Sequence, residues 1–242
     1  VGERGDDRLV PLMGMLGAFV FAAQMINFSI PATGSSGHLG GGLLLAILLG
    51  PHAAFVVIAS VLTVQALFFA DGGLLALGAN LFNLGLLPCL VAYPLVYRPL
   101  AGEAPSRRRA AVAAIAAAIV GLQLGALGVV LQTTLSGISS LPPQPFLWLM
   151  LPIHLAIGLA EGLATAAIVL FVQRAQPELL AAAPGGAPRR TAGRGVVAAW
   201  GAAALLTGGI LSGFASTRPD GLQWSLAQAG ADAITILADR LL

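Results

Sequence analysis

Seven apolar runs dominate the chain, and short polar or glycine-rich stretches separate them. Only 9% of the 242 residues are charged and 57% are hydrophobic, whereas a soluble domain averages about a quarter charged residues. So little charge cannot cover a surface that faces water. The pattern predicts an all-α, polytopic transmembrane bundle of about six helices, followed by one C-terminal helix with a tail. The candidate crossings are residues 9–30, 38–50, 52–70, 74–97, 110–133, 146–173 and 196–215.

The second run is short for a membrane crossing, which takes about 20 apolar residues. Gly50-Pro51-His52 separates it from the third run, and this sequence is typical of a turn that ends one helix and begins the next. A short helix is tolerated where the preceding loop lies inside protein rather than against lipid. We therefore expect the loop before this helix to dip into the bundle.

The arginines predict the orientation, because cytoplasmic loops carry an excess of Lys and Arg. Ten of the twelve arginines lie before the first run, between the fourth and fifth, or between the sixth and seventh. Seven alternating crossings place these three regions on one side, which is then the cytoplasmic side of a prokaryotic inner membrane. The loop of residues 24–42 and the C-terminal tail are predicted to be extracytoplasmic.

Residues 176–195 are rich in Pro, Gly and Ala, which predicts a cytoplasmic linker. It divides the chain into a transmembrane domain, residues 1–175, and a C-terminal helix with a tail, residues 196–242. No phosphate-binding loop, nucleophile elbow or HExxH motif occurs in the sequence, so we expect no ATP site on this chain. The scattered arginines do not indicate a nucleic-acid partner.

His38 is the candidate metal ligand, because it lies in a glycine-rich loop on the predicted outer side. Ser35 or Ser36 is a suitable N-cap for a helix beginning near Leu39. His38 would then lie in the first turn, where the helix dipole favours the neutral imidazole that binds metals. The alternative is a polar residue at a helix end. The neighbouring glycines leave room for another chain segment or a ligand.

Other polar side chains are predicted to lie on the same side as His38, where they would position loops or orient ligands. They are Gln24, Asn27, Ser36, Asp71, Asn80 and Asn83. His154 and Glu161 are seven residues apart and share one face of the sixth helix. A carboxylate near mid-membrane must be paired, protonated or face a polar cavity. This pair is predicted either to form hydrogen bonds within the bundle or to act in gating or subunit contact.

Three stretches of the chain follow one another in a recognisable order: PLMGMLGAFVFAAQMINFSIPATGSSGHLGGG, VQALFFADGGLLALGANLFNLG and LPIHLAIGLAEGLATA. Over about residues 9–175 the chain resembles the CbiM/NikM family, the cobalt/nickel substrate-capture proteins of energy-coupling factor (ECF) transporters. The tail STRPDGLQWSLAQAG resembles the PDGLE domain of NikN-type and CbiN-type subunits, with Gln223 at the position of the motif's Glu.

The resemblance implies the substrate-binding (S) component of an ATP-driven importer for Ni(II) or Co(II) as transported substrate. Its partners would be a transmembrane (T) component, ATPase (A) subunits and the lipid bilayer. The resemblance also implies four planar nitrogen ligands: an N-terminal amine, the backbone nitrogen and imidazole of a histidine at position two, and the loop histidine, here His38. Such a set suits Ni(II), and the tail favours nickel by analogy, although the sequence does not decide between the two metals.

The chain begins Val1-Gly2-Glu3, without the Met-His start that the resemblance implies. We expect a preceding helix with that start in the intact protein, and weak metal binding by the chain as given. The alternative functions are a stand-alone channel or secondary porter for a small cation, and an intramembrane enzyme. The lack of inverted repeats disfavours a porter. An enzyme would depend on His154 and Glu161 with no nucleophile nearby, so we expect no catalysis.

Overall fold

A computed structural model describes residues 9–31, 33–137, 141–177, 180 and 194–230. Two short strands, β1 (Phe28–Ser29) and β2 (Ser36–Gly37), pair antiparallel between the first two helices. The helices are α1 (Leu9–Gln24), α2 (Gly42–Leu49), α3 (Pro51–Phe68), α4 (Leu77–Ala101), α5 (Arg107–Leu135), α6 (Pro143–Ala175), α7 (Arg194–Gly209) and α8 (residues 221–230).

Within the described residues, five helical segments are long and apolar enough to cross a membrane: α3, α4, α5, α6 and Gly195–Phe214, which contains most of α7. The 16-residue α1 is apolar but shorter. Large apolar side chains point outward from these helices, as in Phe171 (68% exposed) and Leu163 (54% exposed). The prediction of a polytopic helical membrane protein is confirmed.

The second predicted crossing is shorter in the structure than in the sequence pattern. α2 has only eight residues, about 12 Å of helix, and all of them are buried. The prediction of a helix beginning near Leu39 with a serine N-cap is wrong, because α2 begins at Gly42. The residue before it, Gly41, has a left-handed φ of 76°. The predicted turn at Gly50 and Pro51 is present and joins α2 to α3.

α1 ends at Gln24 rather than continuing to residue 30, because the following apolar residues enter the β1–β2 hairpin. α4 is wound as a π-helix over Leu81–Tyr97, the part that contains Pro88 and Pro94. Proline has no N–H to donate to the preceding turn. This irregular helix contributes one wall of the cavity described below.

Small residues allow α5 and α6 to pack closely, as expected for helices in lipid. A Cβ added at Gly162 of α6 would lie 2.7 Å from the Cα of Ile115 in α5. A Cβ added at Gly158 would lie 3.0 Å from the Cα of Ile119. The two backbones therefore touch along this face.

α7 packs against α1, far away in sequence. The rings of Phe19 and Trp200 meet edge to face with centroids 4.9 Å apart, and a Cβ added at Gly208 would lie 3.4 Å from the Cβ of Ala22. Most of the predicted linker, residues 176–195, lies outside the described residues, and the division at that linker stays a prediction. In space, α7 packs directly on α1, the first helix of the bundle.

Candidate functional site

A cavity of about 550 Å³ lies between the loop of residues 25–41, the helices α3 to α6 and the tail that follows α7. All the predicted site residues except Ser36 line it: Gln24, Asn27, His38, Asp71, Asn80, Asn83, His154 and Glu161. The structure thus brings together residues from five separate parts of the sequence. Their individual roles stay predictions.

Glu161 holds the 25–41 loop inside the bundle. Its side chain is 2% exposed, and its two carboxylate oxygens accept hydrogen bonds from the backbone N–H groups of Gly40 (2.8 Å) and Gly41 (3.0 Å). Glu161 is 18 residues from Pro143, the first residue of α6, which is about 27 Å along the helix. The loop therefore dips to the middle of the bundle, as expected before a short helix.

Two buried glutamines also help to hold this loop in place. The Gln24 side chain donates to the carbonyl of Gly40 at 2.7 Å, and the Gln65 side chain donates to the Gln24 carbonyl oxygen at 2.7 Å. Both glutamines are buried, so these bonds are made where water does not compete. Gly40 is thus bound twice, through its N–H by Glu161 and through its C=O by Gln24.

The glycines near His38 face other parts of this chain. An added Cβ at Gly41 would lie 2.6 Å from Val20 Cγ1, and one at Gly37 would lie 2.5 Å from Ile157 Cγ1. The sequence predicted room here for another segment or a ligand. At Gly37 and Gly41, side chains of α6 and α1 occupy that room.

The C-terminal tail binds the loop at its β1–β2 hairpin. Ser36 donates from its backbone N–H to the carbonyl of Pro219 (2.8 Å) and from its hydroxyl to the carbonyl of Arg218 (2.8 Å). The backbone N–H of Ser216 donates to the carbonyl of Asn27 at 2.6 Å. Ser36 is a fully buried residue of the loop, and its two bonds join the loop to the tail.

His38 follows Ser36 by two residues and lines the cavity. Its Nδ1 is 3.2 Å from the carbonyl oxygen of Leu39. Because a carbonyl oxygen only accepts, this contact is a hydrogen bond when Nδ1 carries the proton, and Nε2 then keeps its lone pair. A neutral imidazole whose other nitrogen donates to a carbonyl is the usual form of a metal-binding histidine.

The asparagines and Asp71 lie on the α3–α4 side of the cavity. Asn80 donates to the carbonyl of Gly72 at 3.1 Å, and Asn83 donates to the side-chain oxygen of Gln132 at 2.8 Å. The Oδ1 atom of Asn83 is buried and has no hydrogen-bond partner within the described part of the chain. Asn80 thus orders a loop, and Asn83 links α4 to α5.

Across residues 9–31, 33–137, 141–177, 180 and 194–230, no group of three or more His, Cys, Asp or Glu side chains is arranged to hold a metal ion. His38 alone supplies one potential ligand and is not a complete metal centre.

Comparisons with known proteins identify the family. Residues 1–179 match the family described as the cobalt uptake substrate-specific transmembrane region, CbiM, and residues 194–237 match the PDGLE domain. The chain belongs to the CbiM family.

Members of the CbiM family with curated names include a putative fused nickel transport protein NikMN of Archaeoglobus fulgidus, 39% identical over 74% of this chain. The aligned part spans 59% of that relative's length. A putative metal transport protein of Haloquadratum walsbyi is 36% identical over 74% of this chain and 78% of its own. A crystal structure of a truncated transition metal transporter is 31% identical, with a TM-score of 0.57, and the match covers 71% of this chain and 83% of that one.

The CbiM match makes this chain a multi-pass membrane protein of a metal-transport family, which is not an enzyme family. It also carries a PDGLE segment, as the resemblance implied. In that segment, Asp220 caps α8, since its Oδ1 accepts from the backbone N–H of Gln223 at 2.7 Å. Position 223 is the third residue of α8, where the capping motif takes Glu or Gln equally. Gln223 in place of Glu is therefore compatible with this cap.

Two residues at the cavity were missed by sequence reasoning. Gln65 carried a usable signal, because an amide inside an apolar run is costly unless it is bonded. Asp220 carried one as the aspartate of the PDGL stretch, but its nearness to His38 depends on the fold of the whole chain.

Proposed function

We propose that this chain is the substrate-binding component of an ATP-driven ECF importer, which captures Ni(II) or Co(II) at the extracytoplasmic face. The observation that carries the proposal is the placement of His38: its imidazole lines a cavity, and Ser36 of the same loop binds the C-terminal tail, which also lines that cavity. Imidazole nitrogen suits both metals. The relatives named as nickel and metal transport proteins support the choice of cargo.

His38 would hold the ion through Nε2, while the 25–41 loop keeps the ring in place. Glu161 and Gln24 bind that loop through its backbone, and Gln65 donates a hydrogen bond to the Gln24 side chain. The remaining ligands are proposed to be nitrogens, as in the planar set that the resemblance implies. Asn80 and Asp71 would position the loop on the opposite wall.

The importer needs partners, because the sequence contains no phosphate-binding loop. We propose that a T component and ATPase subunits supply the energy. The arginine-rich regions would face those subunits on the cytoplasmic side. The cavity and the tail would then face outward, in the inner membrane of a prokaryote.

Uptake of radioactive Ni(II) and Co(II) in cells tests this function. With T and A subunits present, the wild type should accumulate metal, and His38→Ala should accumulate at least about tenfold less, as expected for a lost ligand. His52→Ala is the matched control, since His52 is an exposed residue in the first turn of α3. Accumulation that persists without the T and A subunits would instead support a stand-alone channel or porter.

A further inference from the structure

The cavity contains a second imidazole that the proposed function does not use. On α6, His154, Ile157 and Glu161 lie in that order along one face. The 25–41 loop follows this face, because an added Cβ at Gly37 would touch Ile157 and the N–H of Gly40 bonds to Glu161. His154 therefore lies on the side of the loop that is nearer the tail.

His154 has the same ring arrangement as His38. Its Nδ1 is 2.8 Å from the carbonyl oxygen of Met150, so Nδ1 carries the proton in that hydrogen bond and Nε2 keeps its lone pair. Both histidines line the cavity and lie near enough to interact electrostatically. Two imidazoles thus face one cavity, each with its Nδ1 oriented by a backbone carbonyl.

The tail brings a carboxylate to His154. An added Cβ at Gly221 would lie 3.4 Å from the Cε1 of His154 and 2.7 Å from the Cγ2 of Ile153, so only glycine fits there. The preceding residue, Asp220, lines the cavity and lies within electrostatic reach of His154. One of its oxygens caps α8, and the other makes no hydrogen bond within the described residues.

We propose that His154 and Asp220 form an entry site for the divalent metal ion, between the outer mouth of the cavity and His38. This proposal rests on the proposed function. One imidazole and one carboxylate, completed by water, suit Co(II) and Ni(II). With only two protein ligands the site binds weakly, which lets the ion move on, as conduction along a series of sites requires. The tail is then part of the metal path.

Both residues also have structural bonds, so the variants must preserve those bonds. His154→Gln keeps an N–H donor for the Met150 carbonyl and removes the imidazole. Asp220→Asn keeps the cap, because Asn and Asp are equally good N-caps, and removes the charge. His52→Gln and Glu103→Gln are the matched controls, since both residues are exposed and neither lines the cavity.

Equilibrium dialysis of Co(II) against the full-length protein in lipid nanodiscs tests the entry site, with the Co(II) absorption spectrum as a second readout. The wild type should bind two ions per chain with different affinities, the tighter one at His38 and the weaker one at the entry site. His154→Gln should lose the weak ion and its spectral bands, and Asp220→Asn should bind it about tenfold more weakly. Apparent unfolding temperatures without metal should stay within a few degrees of the wild type.

His38→Gln separates the entry site from the proposed function, because it should remove the tight ion and leave the weak one. If the wild type binds one ion and His154→Gln binds it unchanged, the entry site is wrong and the proposed function stands. If Asp220→Asn binds both ions as the wild type does, Asp220 acts only as a helix cap and the tail has no part in the path. If His154→Gln loses the weak ion while His38→Gln loses none, the entry site is supported and the proposed role of His38 as a metal ligand is contradicted.

Discussion

At the scale of single residues, the position of His38 depends on a carboxylate in another helix. Burial of a charged or polar group inside a bundle is costly unless hydrogen bonds compensate it. Glu161 meets this requirement through two backbone N–H groups of the 25–41 loop. The same two bonds satisfy N–H groups that would otherwise be buried without partners. Under the proposed function, Glu161 is therefore a positioning residue, which would act on the metal through the loop.

Glu161→Ala should weaken Ni(II) binding at His38 and lower the apparent unfolding temperature. It leaves two buried N–H groups unpaired, at about 1–3 kcal/mol each. If the loop relaxes to recover these bonds, Ni(II) affinity should fall at least about tenfold, the equivalent of about 1.4 kcal/mol. Isothermal titration with Ni(II) measures the change, and Glu103→Gln should have no effect. An unchanged Ni(II) affinity in Glu161→Ala would show that the 25–41 loop keeps its position without Glu161.

Gly41→Ala should destabilise the protein more than Gly73→Ala. Both residues have a φ above 70° in the left-handed region, which costs a non-glycine residue about 1–2 kcal/mol. At Gly73 an added Cβ meets nothing within 4 Å, whereas at Gly41 it would lie 2.6 Å from Val20. Overpacking adds about 1–3 kcal/mol. Thermal unfolding in detergent compares the variants, and equal losses in both would contradict the predicted clash.

At the scale of elements, the sequence predicted helices best where hydropathy alone decides their ends. The run predicted at 52–70 is helix α3 over Pro51–Phe68, and the run at 110–133 lies within α5 over Arg107–Leu135. The start of α2 was predicted wrongly, because the N–H groups of Gly40 and Gly41 bind Glu161 instead of a serine cap. No local signal at residue 40 indicates a partner more than a hundred residues away.

Gly162→Ala should weaken the packing of α5 on α6, because its added Cβ would lie 2.7 Å from backbone in Ile115. A backbone atom cannot rotate away as a side chain can, so the helices must separate. Gly14→Ala in α1 is the control, since an added Cβ there meets nothing within 4 Å. It should be neutral or stabilise by about 0.5–1 kcal/mol. Unfolding temperatures that fall equally in both variants would contradict this account of the interface.

At the scale of the whole molecule, the C-terminal tail binds the 25–41 loop near the start of the chain. The hydroxyl of Ser36 and the carbonyl of Arg218 are 182 residues apart in sequence and 2.8 Å apart in space. The predicted site residues could be grouped by the side of the membrane on which they fall, which is why so many share the cavity. The docking of the tail on Ser36 could not be predicted, because it depends on α7 packing against α1.

The orientation of the molecule decides whether this cavity opens outward, and thiol labelling tests it. The sole cysteine of the chain, Cys89, is fully buried, so the native background should be low. Leu75→Cys lies before α4 at a position that is fully exposed, and Glu103→Cys lies in the arginine-flanked loop between α4 and α5. Because arginine-rich loops stay cytoplasmic, a membrane-impermeant maleimide should label Leu75→Cys in intact spheroplasts. It should label Glu103→Cys only after permeabilisation. The opposite pattern would place the cavity on the cytoplasmic side and contradict capture from outside.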